Sequence, residues 1–267
     1  MQKRYIFAAI ISLFLIIGSL TWYYHNHLTK TINHSAPAVP IKQQKVIIKS
    51  STESVKNSGQ FDTSQHSLSD ASSIWVVVNK QRQLSPIYYV PADLVIPPVA
   101  KRSNITSDEQ KLRSETASGL KTMFEAAAAD AVTLNLQSGY RSYSLQTSVY
   151  QRYVGQQGKA VADSQSARPG HSEHQTGLAA DIGGVSKPSC NLDTCFAATI
   201  EGKWLAAHAF KYGFFVRYPS DKTTVTGYIY EPWHVRYVGI SLSSELQAQN
   251  ISTLEEYFKL GAAPDYN

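Results

Sequence analysis

Of the eight histidines in the 267-residue chain, only a few stand in company that could do chemistry. His25, His27, His34 and His66 lie in polar sequence where no scaffold would hold them. His208 sits beside apolar neighbours and reads as a packed or surface side chain. His171, His174 and His234 are left. Around His174 the chain runs Ser172-Glu-His-Gln-Thr-Gly-Leu-Ala-Ala-Asp181, and around His234 it runs Glu231-Pro-Trp-His-Val-Arg-Tyr237. Two histidines and a carboxylate suffice as the protein ligands of a catalytic zinc, with the fourth position left to water. A second carboxylate, kept off the metal, must then take the proton from that water. Asp181 and Glu231 are the available pair. Gly177 lets the backbone turn tightly between His174 and the segment carrying Asp181. Glu231 precedes His234 by three residues, with Pro232 stiffening the link, so it can stand beside a metal without chelating it. Spacing alone leaves other readings open, because His-x6-Asp and Glu-x-x-His both recur by chance.

The elements that must position these residues can be traced by pattern. Trp75–Val78 reads as a strand, followed by an extended stretch punctuated by Pro86, Pro91, Pro97 and Pro98. Thr106 or Ser107, each followed three residues on by Glu109 or Gln110, predicts a capping box that opens a helix. Leu112, Leu120, Met123, Phe124 and Ala127 continue at helical spacing. Val132, Leu134 and Leu136 alternate as a strand running into Ser138-Gly-Tyr-Arg141. Ser144 is the expected cap of a second helix, with Leu145, Val149 and Tyr153 turned inward. Gly177–Ile182 predicts another strand, and Trp204 to Phe210 a helix stopped at Gly213. Phe214–Arg217 and Tyr228–Tyr230 read as paired strands joined by a polar turn at Asp221-Lys222, and Ser243–Leu260 as a closing helix. No internal repeat is present. Mixed elements without regular βαβ alternation predict an α+β fold, a single domain over residues 74–267.

The N-terminal part differs in kind. Nineteen residues from Ile6 to Tyr24 are apolar, broken only by Ser, Gly and Thr, and follow Lys3 and Arg4. That length can span a hydrocarbon core, and the leading positive charge predicts a cytoplasmic N-terminus with the rest outside. A cleaved signal peptide is the rival, but no Ala-x-Ala stands at the far end, where Trp22, Tyr23 and Tyr24 resemble an interfacial belt. The expected layout is an anchor at 1–27, a disordered linker at 28–73 and the catalytic domain beyond. A net charge of +5 suits an anionic wall or membrane surface. Nucleic acid is not an expected partner, because no Lys/Arg cluster interleaves with aromatics in the folded part. Cys190 and Cys195 could form a small disulfide, half a metal site or two free thiols. No further Cys or His lies within ten residues, and export would favour the disulfide.

Taken together, Ser172-x-His174-x-x-Gly177-x-Ala179-x-Asp181 and Glu231-x-Trp233-His234-x-Arg236-Tyr237 resemble the zinc D,D-carboxypeptidases of the VanY type and their L,D-carboxypeptidase relatives. Ser138-Gly139-Tyr140-Arg141-Ser142 with Gln146 matches their upstream segment, and the likeness runs from about Val76 to Gly239. The resemblance implies a compact α+β zinc domain shared with hedgehog-type proteins. It implies one Zn2+ held by His174, Asp181 and His234, with Glu231 as catalytic base. It places Arg141 toward the substrate, where a guanidinium can stabilise an oxyanion or grip a carboxylate; a structural ion pair is its plainer role. Gln146, Ser172 and Trp233 become candidate substrate contacts, although Trp233 suits a core equally well, and His171 has no part in the pattern. The implied activity is release of the C-terminal D-Ala from peptidoglycan stem peptides on the wall side of the membrane. D,D-activity on pentapeptides is expected ahead of L,D-activity on tetrapeptides. An endopeptidase and a wall-binding module with a vestigial site are the alternatives, and intact Glu231 argues against the second, since a binder has no use for a general base. Glu173 and Asp221 are carboxylates near the motifs that sequence alone does not place.

Overall fold

Period-two alternation along three of the four main-sheet strands separates a packed core from a polar face, while the strand carrying Phe214 and Phe215 buries apolar side chains on both faces. The computed structural model describes residues 61–267, so the expected anchor and most of the linker lie outside the described residues. Among the described residues no helix is long and apolar enough to cross a membrane. Strands β1 (Leu94–Val95) and β2 (Leu112–Arg113) form a small antiparallel pair. The main sheet comprises β3 (Leu134–Ser138), β4 (Ala179–Gly184), β5 (Phe214–Tyr218) and β6 (Glu231–Tyr237), in the order β3-β4-β6-β5 and antiparallel throughout. Ala180 and Ile182 of β4, Trp233 and Val235 of β6, and Leu134 and Leu136 of β3 join one core. Helix α1 (Ser114–Ala129) adds Leu120, Met123 and Phe124 to it, and α4 (Ile200–His208) adds Leu205. Burying each such large apolar side chain is worth about 1.5–3 kcal/mol. The intervening Asp181, His234 and Arg236 belong to the opposite face. Between β3 and β4 run α2 (Tyr143–Gln157) and α3 (Lys159–Gln165). A short helix α5 (Thr223–Thr226) lies in the β5–β6 connection, and α6 (Ile240–Gln249) and α7 (Leu254–Tyr257) follow β6. Cys190 and Cys195 are joined by a disulfide beside the core.

Several elements depart from the sequence expectation, each for a local reason. The reciprocal contacts of a capping box do form between Thr106 and Glu109, but no helix follows them. The carbonyls of Glu109 and Lys111 accept from Gly139 and Tyr140 at 2.6 and 2.7 Å, so they serve the chain leaving β3, and the helix starts at Ser114. Trp75–Val78 is buried without joining a sheet; Arg236 Nη2 donates to the carbonyls of Ile74 and Val76 at 3.0 and 2.7 Å. Ser142, not Ser144, caps α2 through the Leu145 amide, and the residues this helix buries are Gln146 and Tyr150. The second of the expected paired strands is β6 itself, not Tyr228–Tyr230. The closing helix breaks at Asn250, whose left-handed backbone (φ 54°) ends α6, with the Ile251 amide bonded back to Leu246. Residues 61–73, read from sequence as linker, pack on the domain: Phe61 stacks on Trp75 at 5.7 Å and Ala71 is buried.

Candidate active site

Asp181 and His234 are register partners on adjacent strands, which puts both side chains on one face of the sheet. Glu231 would not join them in a regular strand, because an odd separation of three places side chains on opposite faces. Regular alternation is broken here: Val216 pairs Val235, yet Tyr218 pairs Glu231, so five residues of β6 oppose three of β5. Pro232, which cannot donate to a ladder, lies inside that irregularity. A second irregularity, between Leu136 and Ser138, bends the end of β3 at the same rim. Glu231 Oε2 then lies 3.6 Å from His234 Nδ1. His174 comes from a 3-10 turn, Glu173–Thr176, closed by Gly177 in a left-handed conformation (φ 68°). A Cβ at Gly177 would also sit 2.9 Å from Arg113 Cγ, so this turn is built for glycine.

Both imidazoles are oriented from behind. Nδ1 of His174 lies 2.6 Å from the Gly139 carbonyl, which can only accept, so this nitrogen carries the hydrogen and the Nε2 lone pair faces the site. His234 is reversed: Nε2 faces the Glu173 carboxylate at 3.4 Å, which leaves Nδ1 toward Asp181. His174 Nε2 and His234 Nδ1 each lie 3.3 Å from an oxygen of Asp181. Donors held by metal bonds of about 2.0–2.1 Å at tetrahedral angles stand about 3.3 Å apart, so the set fits a zinc-sized ion. Asp181 Oδ1 is buried without a hydrogen bond, an orphaned acceptor aimed at the point where such an ion would lie. Among the described residues, His174, Asp181 and His234 are the cluster able to hold a metal.

The electrostatics agree. Burial and the nearby charges of Asp181 and Glu173 push Glu231 up to about 8 against the pull of His234 and Arg141. Burial acts on Asp181 in the same direction, but His174 and His234 outweigh it and hold this carboxyl well below the usual range. Burial and the Arg141 charge lower His174, which keeps it neutral and able to ligate. His234 rises to about 9: burial opposes its charge, and Asp181, Glu173 and Glu231 overcome that. Without another cation, the carboxylates hold a proton on His234. A divalent ion on Nδ1 would displace it.

The donors open into a cleft of about 540 Å³, whose wall includes Arg141, Ser172, Tyr218, Tyr228 and Trp233. A profile of the VanY family, D-alanyl-D-alanine carboxypeptidase, matches residues 109–240. Among curated proteins, the "Putative carboxypeptidase YodJ" of Bacillus subtilis (strain 168) is 44% identical over 187 residues, covering 70% of this chain and 67% of that protein. Among solved structures, the LdcB LD-carboxypeptidase superposes with TM-score 0.66 at 44% identity, covering 71% of this chain and 87% of that one. A VanY D,D-pentapeptidase mutant from a VanB-type resistance cassette, in complex with Zn(II), superposes with TM-score 0.57 at 33% identity, covering 71% and 99%. The chain belongs to the VanY family.

The VanY match spans β2 through β6 and so contains every candidate site residue, brought together to different degrees. Arg141 reaches the centre: Nη2 lies 3.5 Å from Asp181 Oδ2 and 3.2 Å from Ser138 Oγ, and its buried Nε has no partner. Gln146 does not line the cleft. Its oxygen accepts from Arg141 at 2.8 Å and its amide donates to the Ala167 carbonyl at 2.6 Å, so it holds Arg141 in place and has no amide atom left for substrate. Trp233 serves both expected roles, as part of the core and of the cleft wall. His171 turns away, with Nδ1 2.8 Å from the Asn79 carbonyl, and His208 stacks on Trp204 at 4.8 Å. Sequence reasoning missed Tyr218, whose ring lies 4.8 Å from that of His234, and left Glu173 unplaced. Glu173 is buried between Arg217 and Arg236. Outside the VanY match, Glu255 of α7 holds Arg217 through two bonds of 2.7 and 2.8 Å.

Proposed function

We propose that this VanY-family domain is a zinc carboxypeptidase that releases the terminal D-alanine from peptidoglycan stem peptides, acting on D-Ala-D-Ala ends. The observation that carries this reading is the division of labour among the carboxylates: Asp181 stands with both imidazole lone pairs, while Glu231 stands beside His234 without joining the donor set. Bound zinc supplies a Lewis acid that acidifies water and polarises the scissile carbonyl. Glu231 takes the proton from the attacking water and returns it to the leaving amine. Arg141, with Nε unpartnered, is aimed at negative charge developing on the carbonyl oxygen or at the free carboxylate of the substrate. Glu231→Gln should keep zinc and lose turnover by roughly 10²-fold or more. Loss of zinc in that variant would make Glu231 a ligand and overturn the roles.

L,D-activity on tetrapeptides is the second reading, favoured by the higher identity to the LD-carboxypeptidase than to VanY, 44% against 33%. The two substrates differ on the far side of the bond, where a tetrapeptide presents an L-diamino residue whose amine needs an acidic partner. Of the carboxylates lining the cleft, Asp181 and Glu231 belong to the centre and Glu173 is locked between arginines. Glu109 remains, half-buried and bonded to Arg102 at 2.8 Å. D-Ala release should be measured from both peptides with wild type and Glu109→Gln. Release from tetrapeptide alone, lost in Glu109→Gln, would replace the D,D reading with the L,D one and leave the zinc chemistry standing.

We also propose that the domain works on the wall side of the membrane, held by residues 6–24. The support is their apolar length and the preceding Lys3 and Arg4. Protease added to intact protoplasts should release an active soluble domain, and protection from it would refute this placement.

A further inference from the structure

The carboxylate between Ser172 and His174 is given no catalytic step above, yet it is among the most buried charges of the described residues, with 1% of its surface exposed. Glu173 lies under the sheet face that carries His234, between the guanidiniums of Arg217 on β5 and Arg236 on β6. Its two oxygens are used differently. Oε1 accepts from Arg217 Nε and from Arg236 Nη1, both at 2.8 Å. Oε2 is left to His234, 3.4 Å from Nε2. Neither arginine needs Oε2: Arg217 is completed by Glu255, and Arg236 by the carbonyls of Ile74, Val76 and Tyr237. A group serving only to neutralise two guanidiniums has no reason to turn its second oxygen to a histidine.

We propose that Glu173 is a positioning residue of the metal centre: through Nε2 it fixes the tautomer and rotation of His234, so that Nδ1 faces the donors of His174 and Asp181, while Arg217 and Arg236 fix Glu173. This rests on the zinc reading above. A ligand histidine whose second nitrogen is anchored by a carboxylate binds metal better, and loss of such an anchor typically costs 10–100-fold in affinity. The rigidity comes from far away in the chain, because Glu255 grips Arg217 from α7 and Arg236 is held by the segment before Asn79.

Glu173 and Glu255 balance Arg217 and Arg236, so a neutral residue at 173 would leave a buried cation uncompensated and could unfold the protein. Glu173→Asp is therefore the test, since it keeps the charge and withdraws the carboxylate from His234. Glu255→Asp is the control, since it keeps the charge balance and loosens the same arginine without touching a ligand. Zinc affinity of the full-length protein would be measured by competition with a chelating dye, together with the visible spectrum of the Co2+-substituted protein and the melting temperature of the metal-free form. Glu173→Asp should fold, bind zinc about 10–100-fold more weakly and shift the cobalt spectrum. Glu255→Asp should melt lower yet bind zinc within about threefold of wild type, because Arg236 still holds Glu173 and no metal-facing contact is altered. Wild-type affinity and spectrum in folded Glu173→Asp would overturn the proposal, as would failure of that variant to fold or equal loosening of zinc in Glu255→Asp. Failure of the wild-type protein to bind zinc would instead overturn the ligand assignment on which the proposal stands.

Discussion

Glu231 combines two properties that conflict energetically: in its proposed role as base it must ionise, yet it is buried among other carboxylates. Its carboxyl, ordinarily near 4.5, is pushed up to about 8 by burial first and by Asp181 and Glu173 after that. A raised carboxyl pKa means the folded state holds its proton more tightly than the unfolded chain. The stability this proton contributes is fully present below about 4.5 and is lost as pH rises through about 8. His234, raised from 6.5 to about 9, loses its contribution over an overlapping window. Comparison with Glu231→Gln separates the two. In metal-free protein, the melting temperature of Glu231→Gln should gain on wild type as pH rises from 5 to 8 and level off above that. A difference independent of pH would contradict a protonated, buried Glu231. Asp181 and Glu173, both lowered by their cationic neighbours despite burial, act in the other direction and weaken the fold only in acid.

Strand ends do the positioning, and there sequence reading and structure part company. The ligand motifs were legible because their residues are close in the chain or matched by a family pattern. Glu231 was read as standing beside the metal, but the strand irregularity that permits this was not legible, since it depends on the pairing against β5. Pro232 was the available signal, because a proline inside a strand marks an edge or an irregularity. Read only as a stiffener, it left the strand misplaced at Tyr228–Tyr230. The capping box at Thr106 misled in the opposite way, being locally correct while tertiary bonds from Gly139 and Tyr140 took the carbonyls a helix would have needed. Glu173 could not be placed because its arginines lie 44 and 63 residues away. Gly139 serves both the rim of the sheet and the metal centre. A Cβ there would meet the Lys111 carbonyl at 2.4 Å and that of Glu109 at 2.8 Å, and its own carbonyl anchors His174. Gly139→Ala should therefore cost about 1–3 kcal/mol of stability from overpacking and weaken zinc binding as His174 loses its anchor. Denaturant unfolding and chelator competition check the two effects, and wild-type values in both would show that the rim is softer than its contacts imply.

At the scale of the molecule, the folded unit reaches further toward the N-terminus than composition suggested. Polar residues dominate 61–73, but Phe61 stacks on Trp75, Ala71 is buried, Arg82 bonds the Leu68 carbonyl at 2.8 Å and Arg113 bonds that of Ser72 at 2.7 Å. A few well-placed apolar and carbonyl groups suffice to dock such a segment, and composition averages them away. A chain of residues 61–267 should fold and keep full carboxypeptidase activity. One of residues 74–267 loses apolar burial worth about 2–3 kcal/mol, and at about 2–4 °C per kcal/mol should melt about 5 °C lower or more. Equal melting temperatures would return the boundary to residue 74.

The guanidinium of Arg236 also settles how the domain bears a load. Whatever lies before residue 61, tension entering from that side first meets the ring stack of Phe61 on Trp75 and then the carbonyls of Ile74 and Val76. Those carbonyls are held by a side chain on the strand that carries His234, so a pull on the N-terminal segment is a pull on one wall of the metal centre. An ion held as proposed by His174, Asp181 and His234 would cross-brace that wall against β4 and the His174 turn. Stretched in an optical trap, the domain should yield at a higher force with zinc than without it, and the gap should narrow in Arg236→Lys, whose single ammonium cannot grip both carbonyls and Glu173 at once.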